Sequence, residues 1–138
     1  MTYERENIFA KIIRKELPAE VVFENDSTLV IMDIMPRAEG HMLVIPKLPC
    51  RNILDASNEQ LNACIDIVKK ISNAAMNALK CDGITVQQFN ETAGGQEVFH
   101  LHFHVLTRKI GIPLRPHDGT IADPSTLKDI AGKIRSVI

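Results

Sequence analysis

Cysteine is scarce in this sequence, and its spacing builds nothing. Cys50, Cys64 and Cys81 are an odd number with no Cys-x-x-Cys pair, which points away from a disulfide framework and from a cysteine zinc site. The simplest compartment is then the reducing cytoplasm. No apolar run reaches the length of a membrane span. The start, Met1-Thr2-Tyr3-Glu4-Arg5-Glu6, is charged and leads into an amphipathic segment, unlike the basic start and continuous apolar stretch of a signal peptide. An excess of one charge is also lacking. A net charge of −1 gives no broad attraction toward nucleic acid or an anionic membrane, so a phosphate ligand would have to be held in a local pocket. Nothing matches Gly-x-x-x-x-Gly-Lys-Ser/Thr or Gly-x-Ser-x-Gly, which argues against a P-loop ATPase or kinase and against a serine nucleophile on an elbow.

What is present fits one compact domain over residues 1–138, with 45% hydrophobic and 24% charged residues and no internal repeat. Ile8, Phe9, Ile12 and Ile13 recur at helical spacing between a capping Asn7 and the stop at Pro18, predicting a short helix from Asn7 to Glu16. Val21-Val22-Phe23 and Thr28 to Met32 flank the turn residues Glu24 to Ser27 and read as a hairpin, with a third strand from His41 to Ile45 ended by Pro46. Ser57-x-x-Gln60 is a capping box opening a long helix over roughly 57–80, whose stripe is Leu61, Cys64, Ile65, Val68, Ile71, Ala75 and Leu79. Strands are predicted from Ile84 to Phe89 and from Val98 to Thr107, joined by the polar loop Asn90 to Glu97. After a loop from Ile110 to Thr120, Asp123-Pro124 caps a terminal helix carrying Leu127, Ile130, Ile134 and Val137. This order of elements predicts an α+β fold, an antiparallel sheet with helices packed on it.

The chemistry concentrates in His100-Leu101-His102-Phe103-His104. On a strand, side chains alternate, so the three histidines would line one face while Phe99, Leu101, Phe103 and Val105 anchor the other in the core. Gly94-Gly95 just upstream would let backbone N–H groups cradle a phosphate, with Gln96 beside them as a neutral donor and acceptor. Two other readings stay open: a solvated strand face, and a zinc site using two of these histidines with His41. Against the metal, the outer histidines would lie about 13 Å apart along an extended strand, so one ion could not use all three. Phosphoryl chemistry uses all three: one imidazole attacks phosphorus while its neighbours donate to phosphate oxygens and hold its tautomer. With an ordinary imidazole pKa near 6.5, neutral attackers and charged donors could coexist at neutral pH, and no cofactor or metal is required.

His100-Leu101-His102-Phe103-His104-Val105-Leu106 resembles the His-φ-His-φ-His-φ-φ motif of the histidine triad (HIT) family, where φ is apolar. Ile8 to Ile13 with Leu17-Pro18, Asp33-Ile34-x-Pro36, Gly40-His41, Val44 to Lys47, and Asn90 with Gln96 extend the resemblance to the branch with phosphoramidase-like members, from about residue 7 to 107. The resemblance implies a HIT-like, five-stranded antiparallel sheet continued across a homodimer, with a purine-nucleotide pocket on each protomer. It implies hydrolysis or transfer through a nucleotidyl-histidine on His102, with His104, His100 and His41 completing the histidine network. It also implies the base among Phe9, Leu17, Ile31 and Ile34, the ribose on Asp33, and the phosphate near Asn90, Gly95 and Gln96. Glu97 stands where many relatives carry a hydroxyl residue; it would repel the phosphate if ionised and inward-facing, or shuttle a proton if its pKa were raised. A non-catalytic nucleotide-binding regulator is the alternative function. The paired cysteines of zinc-binding relatives are missing, Cys50 stands where relatives often carry histidine, and Arg108 to Ile138 forms a tail that the shortest members lack.

Overall fold

The computed structural model describes residues 2–138. Helix α1 (Ile8–Ile13) is capped by the Asn7 side chain, which accepts the Ala10 N–H. It is shorter than the apolar period predicts. Lys15 takes a left-handed φ of 64°, its N–H donates to the Ile12 carbonyl, and the Glu16 N–H donates to the Lys11 carbonyl. That pair of closing bonds ends the helix before Leu17 and Pro18 are reached.

Strands β1 (Val21–Glu24), β2 (Thr28–Met32), β3 (Met42–Pro46), β4 (Gly83–Gln87) and β5 (Phe103–Arg108) form one antiparallel sheet in the order β1-β2-β3-β5-β4. Asn25 makes the first hairpin turn by accepting the N–H groups of Ser27 and Thr28 on its side-chain oxygen. Helix α2 (Asn58–Leu79) opens with the expected capping box at Ser57 and Gln60, and Asp123 caps α3 (Pro124–Arg135). Cys64, Ile67, Val68, Ile71, Ala75 and Leu79 of α2 pack with Leu127, Ile130 and Ile134 of α3 against Val30, Met42, Val44, Phe103 and Val105. The opposite face carries Leu29, Ile31, Leu43 and Ile45 beneath Phe9 of α1. With both faces covered, β2 and β3 are buried along their whole length. Ile65, placed on the inward stripe by the sequence, is instead 51% exposed; it lies about 100° around the helix from Cys64, outside the arc that the sheet covers. No helix among the described residues is long and apolar enough to cross a membrane.

Two of the boundaries that move bear on the site. The third strand starts one residue later than expected, leaving His41 in the turn before it. The last strand begins at Phe103, not Val98, so only His104 of the three triad histidines sits in the ladder, opposite Leu43 on one side and Gln87 on the other. The cause is tertiary: the Leu101 N–H donates to the Cys50 carbonyl and the His100 ring bonds the Pro46 carbonyl. These bonds draw residues 100–101 toward the segment after β3 and out of the sheet.

Candidate active site

Five side chains from several segments of the chain converge on the α1 face of the sheet. His102 lies at the mouth of β5, with the Phe9 ring edge-on to it at 4.8 Å between centroids and the His104 ring at 5.0 Å. His41 meets His104 through Nε2 and Nδ1, 2.9 Å apart, and the Asp33 carboxylate approaches His41 Nε2 at 3.4 Å. Gly40 lets the chain deliver His41 here. A Cβ at that position would stand 2.7 Å from Leu79 Cδ1 and 2.8 Å from Thr107 Cγ2, and its N–H donates to Thr107 Oγ1.

The hydrogen bonds assign the tautomers of His41, His100, His102 and His104, because each chain of bonds begins or ends on a group that can act only one way. The Arg37 backbone N–H can only donate, and its acceptor is His41 Nδ1 at 3.0 Å. His41 therefore carries its proton on Nε2 and donates to His104 Nδ1, which leaves the His104 proton on Nε2. The His100 carbonyl can only accept, and it faces His102 Nδ1 at 2.7 Å; His102 is protonated there and its Nε2 lone pair is bare. The Pro46 carbonyl likewise fixes the His100 proton on Nε2 at 2.7 Å, and His100 Nδ1 accepts from the Tyr3 hydroxyl at 2.6 Å. One bare nitrogen on His102 thus adjoins one N–H donor on His104. His100 is fully buried with both ring nitrogens engaged, so it supports the site and has no ring nitrogen free for a ligand.

Burial keeps these rings neutral. It pushes His41 down to about 4, helped by the Arg37 charge, and His100 down to about 4. His104 falls to about 3, through burial first and then its neighbours His102 and His41, and His102 is lowered by burial as well. The expected mixture of neutral attackers and charged donors is therefore replaced by a set of neutral rings whose donors are set by tautomer. Burial also raises the thiols of Cys50 and Cys64 to about 12, so neither supplies a thiolate at neutral pH.

Asp33, His41 and His104 offer ligand atoms within 4.8 Å of one another, as a metal site would. The donor set does not fit an ion. His41 Nδ1 is occupied by the Arg37 N–H and its Nε2 carries a proton, so His41 has no lone pair for a cation without becoming an imidazolate.

The glycine loop works differently from the expected phosphate cradle. A 3-10 turn at Thr92–Gly94 folds it back on itself: the N–H groups of Gly94 and Gln96 donate to the Glu91 carbonyl and that of Gly95 to the Thr92 carbonyl. Gly95, at φ 98°, closes that turn beneath the Phe89 ring, which itself meets His104 edge-on at 5.5 Å. Gln96 is buried, and its amide is fully spent. Its oxygen accepts from Glu91 N–H and Asn52 Nδ2, and its nitrogen donates to the Arg51 and Val98 carbonyls. Gln96 thus braces the loop, correcting its expected place at the phosphate. Gln96→Ala should cost about 2–4 kcal/mol of stability by leaving buried partners unpaired; urea unfolding that shows a loss under about 1 kcal/mol would contradict this role. Asn90 accepts from the Ile53 N–H and trades amide bonds with Gln88, keeping one side-chain hydrogen free.

Other expected residues fall at the rim. Ile31 is buried beneath Phe9, Ile34 is 51% exposed beside Asp33, and Leu17 lines a cavity of about 440 Å³ with Ile12, Ile13, Pro18 and Val21. Glu97 points outward and pairs with His117 of the tail at 3.3 Å, so it is not turned into the histidine cluster. The tail is tied to the His41 turn as well: Arg115 N–H donates to the Arg37 carbonyl, Arg37 Nε to the Arg115 carbonyl, and Ala122 N–H to the Ile34 carbonyl. Tyr3, Phe89 and the backbone of Arg37 also touch the histidines, and no motif in the sequence marks them. That Tyr3 is the chain's one tyrosine was the only local signal.

The HIT domain matches residues 14–111, which is most of the chain. The chain belongs to the HIT family. This HIT protein is 37% identical over 117 residues to a purine nucleoside phosphoramidase of Escherichia coli, covering 83% of this chain and 97% of that one. It is 36% identical over 108 residues to an adenylylsulfatase of Arabidopsis thaliana, covering 78% of this chain and 55% of that one. Among solved structures, a Hit-like protein involved in cell-cycle regulation from Bartonella henselae superposes over 100% of both chains with a TM-score of 0.96 and 48% identity. The tail beyond residue 111 therefore has a counterpart in at least one HIT structure.

Proposed function

We propose that this HIT protein cleaves a nucleoside 5′-monophosphate from a phosphoramidate or mixed-anhydride substrate through a nucleotidyl-histidine on His102. The observation that carries this is the bare Nε2 of His102, held by the Nδ1 bond to the His100 carbonyl. That lone pair attacks the α-phosphorus, the phosphorus–nitrogen or phosphorus–oxygen bond to the leaving group breaks, and the leaving group carries off the bonding pair and takes a proton from solvent. His104 Nε2–H donates to a phosphate oxygen as charge builds there. Water then attacks phosphorus and gives a proton to solvent, the phosphorus–imidazole bond breaks with its pair returning to His102 Nε2, and the nucleoside monophosphate leaves. The Asp33 carboxylate, with one oxygen held by the Met35 N–H, accepts from the ribose hydroxyls. Phe9 and Ile31 floor the base site, with Leu17 and Ile34 at its edge, and Asn90 and Gly95 border the phosphate. Support for this substrate class comes from the relatives named purine nucleoside phosphoramidase and adenylylsulfatase. Purified protein should release AMP from adenosine 5′-phosphoramidate over many turnovers; AMP binding with no release would overturn the reading.

The functional unit in this reading is a homodimer joined along β4. That strand ends the sheet with its outer edge unpaired, Val86 on it is 46% exposed, and Ile65 and Met76 are exposed on α2. Light scattering should give twice the 15.4 kDa chain mass and Val86→Asp should lower it; a monomer at micromolar concentration would contradict the assembly.

A further inference from the structure

We propose that Tyr3 is a positioning residue for the transfer step, its hydroxyl fixing the His100 ring so that the His100 carbonyl holds His102 with Nε2 bare. The inference rests on the proposed role of His102. Tyr3 lies 97 residues from His100 in sequence, yet its hydroxyl is 2.6 Å from His100 Nδ1 and the two rings meet edge-on at 5.6 Å. The Pro46 carbonyl at Nε2 accepts and cannot donate, so Nδ1 is a lone pair and the tyrosine is its donor. His100 has no exposed surface, which leaves no route for solvent to replace that donor directly.

The consequence for His102 is short and covalent. The same residue that Tyr3 holds by its ring presents the carbonyl that accepts His102 Nδ1–H at 2.7 Å. If the hydroxyl is lost, His100 keeps an unpaired buried lone pair or changes tautomer, which would set a bare Nε2 against the Pro46 oxygen. Either change pushes the ring from its seat and moves the carbonyl. A displaced carbonyl no longer selects the Nδ1–H form of His102, and the Nε2–H form cannot attack phosphorus. The amino-terminal segment is itself clamped in place. Arg51 donates to the Thr2 carbonyl at 2.9 Å while holding the Glu91 carboxylate and lying over the Phe99 ring.

Tyr3→Phe removes only the oxygen. The variant should lose about tenfold in kcat with KM for adenosine 5′-phosphoramidate within about twofold, since a wrong tautomer strikes chemistry and not binding. Nitrogen-15 spectra should show the wild-type His102 proton on Nδ1 alone and a mixture of tautomers in Tyr3→Phe. Unchanged kcat with an unchanged His102 spectrum overturns the proposal. The wild-type spectrum alone also overturns it if His100 carries its proton on Nδ1, which keeps the test decisive should the variant not fold. Wild-type protein inert toward the phosphoramidate would instead defeat the transfer reading, and the tautomers of His100 and His102 would still decide what Tyr3 does.

Discussion

His102→Ala should lower turnover of adenosine 5′-phosphoramidate by about a thousandfold or more while the chain stays folded and still binds AMP. The size of the loss follows from the hydrogen bonds around the ring. No other histidine of the cluster offers a bare nitrogen: His41 donates through Nε2 and accepts at Nδ1, His104 accepts at Nδ1 and carries its proton on Nε2, and His100 is engaged at both nitrogens. A neighbouring histidine cannot take over the attack. The folded state should survive because the ring makes one hydrogen bond, to the His100 carbonyl, and two edge-on aromatic contacts, with Phe9 and His104, whereas the core clusters on both sheet faces are built without it. Circular dichroism and AMP titration check the fold and binding. Turnover within tenfold of wild type would remove His102 from the chemistry.

Acid should unfold this protein well before its carboxylates are protonated. In the unfolded chain the histidines bind protons near the ordinary pKa of about 6.5, whereas in the fold burial holds His41 and His100 at about 4 and His104 at about 3. Between those values the unfolded state binds more protons, so stability falls as pH falls. It is fully present above about pH 6.5 and lost progressively as pH drops toward the folded values of about 4 and about 3. At pH 5 each of the three, taken alone, should cost on the order of 2 kcal/mol, a large share of the stability of a small domain. Urea midpoints measured at about pH 7.5 and about pH 5 should differ sharply; equal midpoints would mean that the histidines are not buried in their neutral forms.

Where a local rule settled an element, the sequence was readable. Ser57 and Gln60 announced the start of α2 because a capping box closes within one turn, and Asp123-Pro124 did the same for α3. The α+β reading followed from the order of such elements. The triad segment defeated strand alternation because its partners are distant: Pro46 and Cys50 draw residues 100–101 out of the ladder, and no local pattern reports those bonds. The glycine loop misled for a related reason. Gly95 and Gln96 look like ligand contacts in a polar stretch, yet the loop satisfies its own N–H groups and Gln96 joins Arg51, Asn52 and Glu91 in a buried network. Such a network is invisible until residues some 40 positions apart are brought together. Tyr3 escaped notice because nothing near it in sequence reveals that the amino-terminal segment reaches His100.

Everything proposed for His102 turns on the covalent step, which intact-mass analysis of a single turnover would reveal. Excess protein would be mixed with adenosine 5′-phosphoramidate and quenched in base, which preserves a phosphorus–imidazole bond. Wild-type protein should gain the mass of one adenylyl group, with the modification on His102, and lose it as AMP appears; His102→Ala should gain nothing. AMP formed without any adduct, or an equal adduct on His102→Ala, would contradict a nucleotidyl-histidine at this position.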